Sequence, residues 1–124
     1  MLDQAPDKDT ETAEITNDAI YCANCGGMLT RTRWAISMDG HERVFINPTG
    51  RVFRVCCFSD APGAIITGEP TIEHTWFPPY AWNFAICSGC RSHVGWCFVN
   101  DEAEQSFYGL MKTALTTGPH GGKL

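Results

Sequence analysis

The chain has 124 residues, 44% of them hydrophobic, and a formal net charge of −5, which suits one domain with a core of its own and is too short for two. Nine basic residues, with Arg31, Arg33, Arg43, Arg51 and Arg54 interleaved among apolar positions, leave no massed patch to neutralise a phosphate backbone, and this argues against a nucleic-acid partner. No stretch approaches the roughly 18 apolar residues of a membrane span, and the start Met1-Leu2-Asp3-Gln4 lacks the basic-then-apolar layout of a secretory signal, so the expectation is a soluble, cytoplasmic protein with no membrane partner.

Residues 1–18 are polar and acidic, with Asp3, Asp7, Asp9, Glu11, Glu14 and Asp18 and almost no apolar pattern. Such a segment buries too little to offset its ordering entropy, so it reads as a flexible tail. Residues 19–117 form the expected domain, and 118–124, rich in Gly, form a second tail. Within the domain, strand signals dominate. Met28 to Met38 alternates loosely around Leu29, Trp34 and Ile36. Val44-Phe45-Ile46, the turn Asn47-Pro48-Thr49-Gly50 and the run Arg51 to Phe58 predict a β-hairpin. Asp60-Ala61-Pro62-Gly63 is a further turn. Ala64–Thr67, Thr71–Thr75, Trp82–Ile86 and His93–Val99 are further short strands. In Asp101–Thr116, the spacing of Phe107, Leu110, Met111, Ala114 and Leu115 fits a helix capped by Asp101 and Glu104, whereas Gly109 favours a turn followed by a strand. Many short strands punctuated by Gly and Pro predict an all-β fold of two packed sheets.

Seven cysteines are present. Four of them, Cys22, Cys25, Cys87 and Cys90, form two CxxC pairs with glycine nearby. Two intervening residues let a tight turn aim both sulfurs at one ion, and two such pairs make the closed four-thiolate set of one structural Zn2+. Cys25 and Cys87 are far apart in the chain, so the ion would pin two distant regions around the strands between them. A redox dithiol could explain either pair alone but not both. His41, His74 and His93 lack knuckle spacing to a cysteine. Cys56, Cys57 and Cys97 lie in strand runs and read as buried core thiols.

The most unusual stretch is His74-Thr75-Trp76-Phe77-Pro78-Pro79-Tyr80-Ala81-Trp82, followed after the second cysteine pair by Trp96-Cys97-Phe98. The two prolines force a turn, and Trp96 and Phe98, two apart on a strand, share one face. From the residues alone this is either core packing or an aromatic box for a ligand.

The string HTWFPPYAW, then Cys87-Ser88-Gly89-Cys90, then His93-Val94-Gly95-Trp96-Cys97-Phe98, resembles the cereblon-type thalidomide-binding (CULT) domains. The knuckle Cys22-Ala23-Asn24-Cys25, Asn47-Pro48, Phe107-Tyr108-Gly109-Leu110 and Ala114-Leu115 match the same family, so the resemblance spans about residues 20–117. It implies two antiparallel sheets set at an angle and pinned by the zinc, a β-tent. It also implies a cage walled by Trp76, Trp82 and Trp96 over Phe98, bordered by Asn47 and Pro48. The implied ligands are cyclic imides: glutarimides of the thalidomide type, C-terminal cyclic imides of degraded protein chains, and uridine-like rings. The His74 carbonyl would accept the imide hydrogen, while the Trp76 N–H and the His74 side chain donate to its carbonyls; Thr75 lies between them. Ligase function is not carried over, and no ubiquitin-ligase adaptor is expected; the chain looks like the free-standing bacterial members. Pro79 stands where animal forms have Gly, which stiffens the loop.

The leading expectation is a binding module with no catalytic residues. The alternative is a zinc-pinned β reductase similar to the methionine sulfoxide reductases, with Cys97 as nucleophile, although on a strand Cys97 points away from Trp96 and Phe98.

Overall fold

Runs of β-branched and aromatic residues between glycine and proline turns become nine strands in the computed structural model, which describes residues 18–117. Positions 1–17 and 118–124, expected to be tails, lie outside the described residues. The strands are β1 (Ala19–Cys22), β2 (Met28–Arg31), β3 (Glu42–Ile46), β4 (Val52–Phe58), β5 (Ala64–Thr71), β6 (Ala81–Cys87), β7 (His93–Asn100), β8 (Gln105–Met111) and β9 (Leu115–Thr116). They form a three-stranded sheet of order β2-β1-β9 and a six-stranded sheet of order β3-β4-β8-β7-β6-β5. Every pairing is antiparallel, so the all-β, two-sheet expectation is borne out. Among the described residues no helix is long and apolar enough to cross a membrane.

Asp18 belongs to the described structure. Its carboxylate accepts from Arg31 at 2.9 Å and from Arg33 at 2.8 Å. Hydrogen bonding from the Arg33 guanidinium, with Arg31 adding to it, holds the Asp18 carboxyl at about 2.

The six-stranded sheet buries both faces. On one, Cys56, Phe58, Val94 and Leu110 pack with Ile20, Leu29 and Leu115 of the smaller sheet. On the other, Val55, Cys57, Trp96, Phe98 and Phe107 pack around Phe77, which the proline-containing loop delivers. This two-sided burial explains why Asp101–Thr116 is not the helix its spacing suggests. β8 lies between β4 and β7, and its apolar residues serve opposite faces: Phe107 stacks on Phe98 at 5.1 Å, and Leu110 enters the inter-sheet core. An i, i+3 apolar repeat in a central strand therefore imitates a helical stripe. The residues before it, Asp101–Glu104, form a turn.

Val94 and Trp96 are two apart yet face opposite cores, which strict alternation forbids. The register shows why: Ala85 pairs with Gly95 and Ile86 with His93, leaving Val94 as an extra residue. This is a β-bulge, and it switches which face the residues before it present. Gly95 sits at that point because a Cβ there would stand 2.2 Å from the Gly109 carbonyl oxygen, and one on Gly109 would stand 2.7 Å from Val55 Cγ1.

Both Gly95→Ala and Gly109→Ala are expected to destabilise the fold. Gly109→Ala presses on side chains that can shift, so it should cost about 1–3 kcal/mol; Gly95→Ala presses on backbone and should cost more. Urea unfolding of the metal-loaded protein gives both values, and equal stability of Gly95→Ala and wild type would contradict the packing described.

Candidate functional site

The four cysteines of the two CxxC pairs come together where β1 ends and where β6 turns into β7. Their sulfurs all lie within 4.8 Å of one another, with Cys22 to Cys90 at 3.8 Å and Cys25 to Cys87 at 3.6 Å. Ligands on a tetrahedral ion with metal–sulfur bonds of about 2.3 Å stand about 3.8 Å apart, so the cluster could hold one metal ion. Each turn is tied down by backbone bonds: Gly26 N–H donates to the Cys22 carbonyl and Arg91 N–H to that of Cys87, both at 2.8 Å. Gly27 N–H donates to Cys25 Sγ at 3.4 Å and Gly89 N–H to Cys87 Sγ at 3.3 Å.

The surroundings suit thiolate ligands. Asn24 Nδ2 donates to Cys90 Sγ at 3.2 Å, and the Ser92 hydroxyl lies 3.1 Å from it; led by Asn24, these bonds bring Cys90 down to about 6. Burial pushes Cys87 up to about 12. The remaining cysteines, Cys56, Cys57 and Cys97, are unpaired and buried.

On the opposite face of the large sheet, a cavity of about 420 Å³ opens between the loop after β5, the β3–β4 turn and the strands β6 and β7. Trp76 comes from the loop, Trp82 and Phe84 from β6, and His93, Trp96 and Phe98 from β7. Trp76 and Trp96 meet edge to face at 4.9 Å, with ring planes at 73°. Phe45 stacks behind Trp76 at 4.8 Å with an interplanar angle of 2°, so this wall is backed by a second ring. Trp82 donates its indole N–H to the Glu73 carbonyl at 2.8 Å, which fixes one side of the ring to the loop that carries Trp76.

Of the residues singled out in the sequence, Asn47, Pro48, His74, Trp76, Trp82, Trp96 and Phe98 all line this cavity. Thr75 has another place: its hydroxyl donates to the Tyr80 carbonyl at 2.6 Å and accepts from Phe77 N–H at 3.3 Å, stapling the loop across its prolines. Asn47 Oδ1 accepts from Thr49 and Arg51 N–H groups at 3.1 and 2.9 Å, so its carbonyl shapes the turn and its amide N–H groups remain.

Four further residues line the cavity: Arg51, Phe53, Phe84 and His93. His93 escapes a period-two reading because that reading sets it opposite Trp96; the bulge at Val94 turns both toward the cavity, with ring centroids 5.0 Å apart. The available signal is Gly95, a glycine inside a strand run. Partial burial of the ring lowers the His93 pKa, and the Arg51 charge acts in the same direction. Arg51 and Phe53 follow from the hairpin itself, since alternation puts both on the face of Val55 and Cys57. Cys97 is 3% exposed and burial pushes its thiol up to about 11, a protonated side chain at neutral pH.

The protein is expected to bind one equivalent of divalent metal. Cys87→Ala should lose it and lower the unfolding midpoint by on the order of 10 °C, whereas Cys57→Ala should keep it. Elemental analysis with thermal unfolding of both variants checks this; a full metal equivalent in Cys87→Ala would count against the four-sulfur site.

No protein-family model matches the chain. Curated relatives do: cereblon of Gallus gallus is 32% identical over 103 residues, covering 78% of this chain and 23% of cereblon. Cereblon of Danio rerio is 36% identical over 92 residues, covering 71% and 21% respectively. Cereblon of Drosophila pseudoobscura pseudoobscura is 35% identical over 112 residues, covering 82% and 18%. The chain thus spans about a fifth of the length of the curated relatives it matches.

Proposed function

From the premise that this chain resembles one segment of cereblon, the CULT domain, over about four-fifths of its length, we propose that it is a binding module for cyclic imides. Trp76, Trp82 and Trp96 wall the site, Phe98 forms its base, and one structural Zn2+ occupies the four-cysteine cluster. Zinc is the ion favoured by a closed set of four thiolates with no open position.

One observation carries the reading. Within an aromatic cavity, the His74 carbonyl and the Trp76 N–H have no hydrogen-bond partner among the described residues, and both residues line the space. An imide offers an N–H between two carbonyls, so one acceptor and flanking donors complement its edge. The His74 carbonyl takes the imide hydrogen; the Trp76 N–H and the His74 imidazole donate to the ring carbonyls. His74 has φ of 58°, a left-handed conformation unusual for a side-chain-bearing residue, and it allows the carbonyl of one residue and the N–H two residues on to serve one ligand edge. The indoles exclude water from these bonds.

The magnitudes suit a small ligand. Three hydrogen bonds at about 1 kcal/mol each and about 2–3 kcal/mol from burying the ring's apolar edges sum to about 5–6 kcal/mol, which places a bare ring at about 0.1 mM or weaker once association costs are set against it. The ring is a glutarimide of the thalidomide type, a uridine-like base, or the cyclised C-terminal end of a peptide. No step of covalent chemistry is assigned, because the thiol a reductase would use, Cys97, is buried and protonated. Seven unpaired cysteines suit a reducing compartment, and we assign the protein to the cytoplasm. A ubiquitin-ligase adaptor is not among the partners we assign to this domain.

Titration with a glutarimide, read by tryptophan fluorescence, is expected to saturate, with a dissociation constant of about 0.1–1 mM for the bare ring. Trp76→Ala, Trp82→Ala and Trp96→Ala should each weaken binding at least about tenfold, a loss of about 1.4 kcal/mol, with the metal retained. N-methylation of the imide should abolish binding by deleting the donated hydrogen. Full affinity in all three variants would refute the cage.

A further inference from the structure

We infer that Arg51 makes the mouth of this cavity selective for imide ligands that carry a negative charge on the part projecting out of the cage. The inference rests on the imide reading above and adds the class of imide to it.

The charge distribution around the cavity points this way. Its lining includes Arg51 and two histidines, His74 and His93, and contains no aspartate or glutamate, in a chain whose net charge is −5. Four other basic residues are paired, Arg31 and Arg33 with Asp18, Arg54 and Lys112 with Glu42, while Arg91, which like Arg51 has no carboxylate partner among the described residues, does not line the cavity. Arg43 donates to the Met38 carbonyl and lies over Phe45 and Phe77. Arg51 has no carboxylate partner among the described residues. Glu73, next to His74 in the chain, is not among the lining residues.

Arg51 is also held in place. Its backbone N–H donates to Asn47 Oδ1 at 2.9 Å, and its carbonyl accepts from Asn47 N–H at 2.9 Å, so it closes the β3–β4 turn. Its guanidinium carbon lies 5.1 Å from the centre of the Phe53 ring, and Phe53 in turn meets Trp96 edge to face at 5.2 Å. A guanidinium positioned over an aromatic ring keeps in-plane N–H groups for a carboxylate or phosphate. The cation therefore stands beside one cage wall. The imide edge of a ligand is taken by His74 and Trp76, so its substituent leaves over the turn formed by Asn47, Pro48 and Arg51.

A carboxylate or phosphate a few bonds from the ring meets that guanidinium. A cyclised chain end preceded by an acidic residue supplies the first, and a uracil nucleotide supplies the second; the shared chemistry is an imide ring with an anion on its exit side.

The test uses the full chain and two matched pairs of probes. The first pair is a glutarimide whose 3-amino group is succinylated, with a free carboxylate, and the same compound with that carboxylate converted to a carboxamide. The second pair is uridine 5′-monophosphate and uridine. Wild type is expected to prefer the charged glutarimide by about three- to fivefold at low salt, the range of a solvent-exposed ion pair, and to lose the preference as ionic strength rises. The ratio should fall to near one in Arg51→Gln and persist in Arg51→Lys. A similar preference in the uridine pair points to nucleotides as a source of ligand; its absence points to peptide ends. If both glutarimides bind wild type equally, or if the preference survives in Arg51→Gln, the inference fails and the cage stands. If neither glutarimide binds, the imide reading itself fails and takes the inference with it.

Discussion

The pairing of β6 with β7 is the constraint on which both sites depend. One end of this hairpin is the turn that presents Cys87 and Cys90; along its strands stand Trp82, Trp96 and Phe98. Antiparallel register sets Trp82 opposite Phe98 and Phe84 opposite Trp96. The walls from β6 and the walls from β7 are thus placed relative to each other by backbone hydrogen bonds, and the turn that carries Cys87 and Cys90 closes the same ladder. Cys22 and Cys25, at the end of β1, bring the smaller sheet to that turn, so a metal ion held by the four cysteines would also join the two sheets.

The third wall has a different origin. Trp76 stands on an irregular loop, where no ladder fixes its position. Side chains do so instead. The Thr75 hydroxyl spans the prolines, Tyr80 N–H donates to the Phe77 carbonyl at 2.7 Å, and Trp82 reaches back to the Glu73 carbonyl. Phe77 anchors the loop in the core, 4.9 Å from Phe98 and 5.0 Å from Phe107. Phe45 supports the outer face of Trp76. An aromatic core residue next to a cage residue in the same loop means that the packing of the fold and the shape of the site cannot be varied independently.

The parts of the site that were legible in the sequence are those carried by short contiguous strings. The two CxxC pairs and the HTWFPPYAW run declare their chemistry locally, since ligand spacing and proline-enforced turns act over a few residues. The hairpin around Asn47-Pro48-Thr49-Gly50 was legible for the same reason. What escaped needed tertiary information. The apolar spacing in Asp101–Thr116 serves two cores at once, and only the strand order shows it. The role of Thr75 as a loop staple depends on the Tyr80 carbonyl folding back over the prolines. His93 required the register of β6 against β7, because one extra residue overturns the alternation from which its face would be read.

That extra residue also bears on how the two cores are connected. Val94 fills the inter-sheet core beside Leu110 and Cys87, while its neighbours on either side belong to the opposite face or to the backbone contact at Gly109. A regular strand would force a choice: His93 beside Trp96 in the cavity, or Val94 under the turn that carries Cys87 and Cys90. The bulge gives both, and Gly95 permits it by letting β7 approach β8 where no side chain fits. The cysteine-bearing turn lies immediately before this bulge, at Cys87–Arg91 with Ser92 returning a carbonyl to Cys87 N–H at 2.9 Å. An ion held by the four-cysteine cluster would therefore fix the strand end from which the bulge departs. Its effect on the aromatic cavity would be one of placement, exerted through the strand and without contact with the cavity itself.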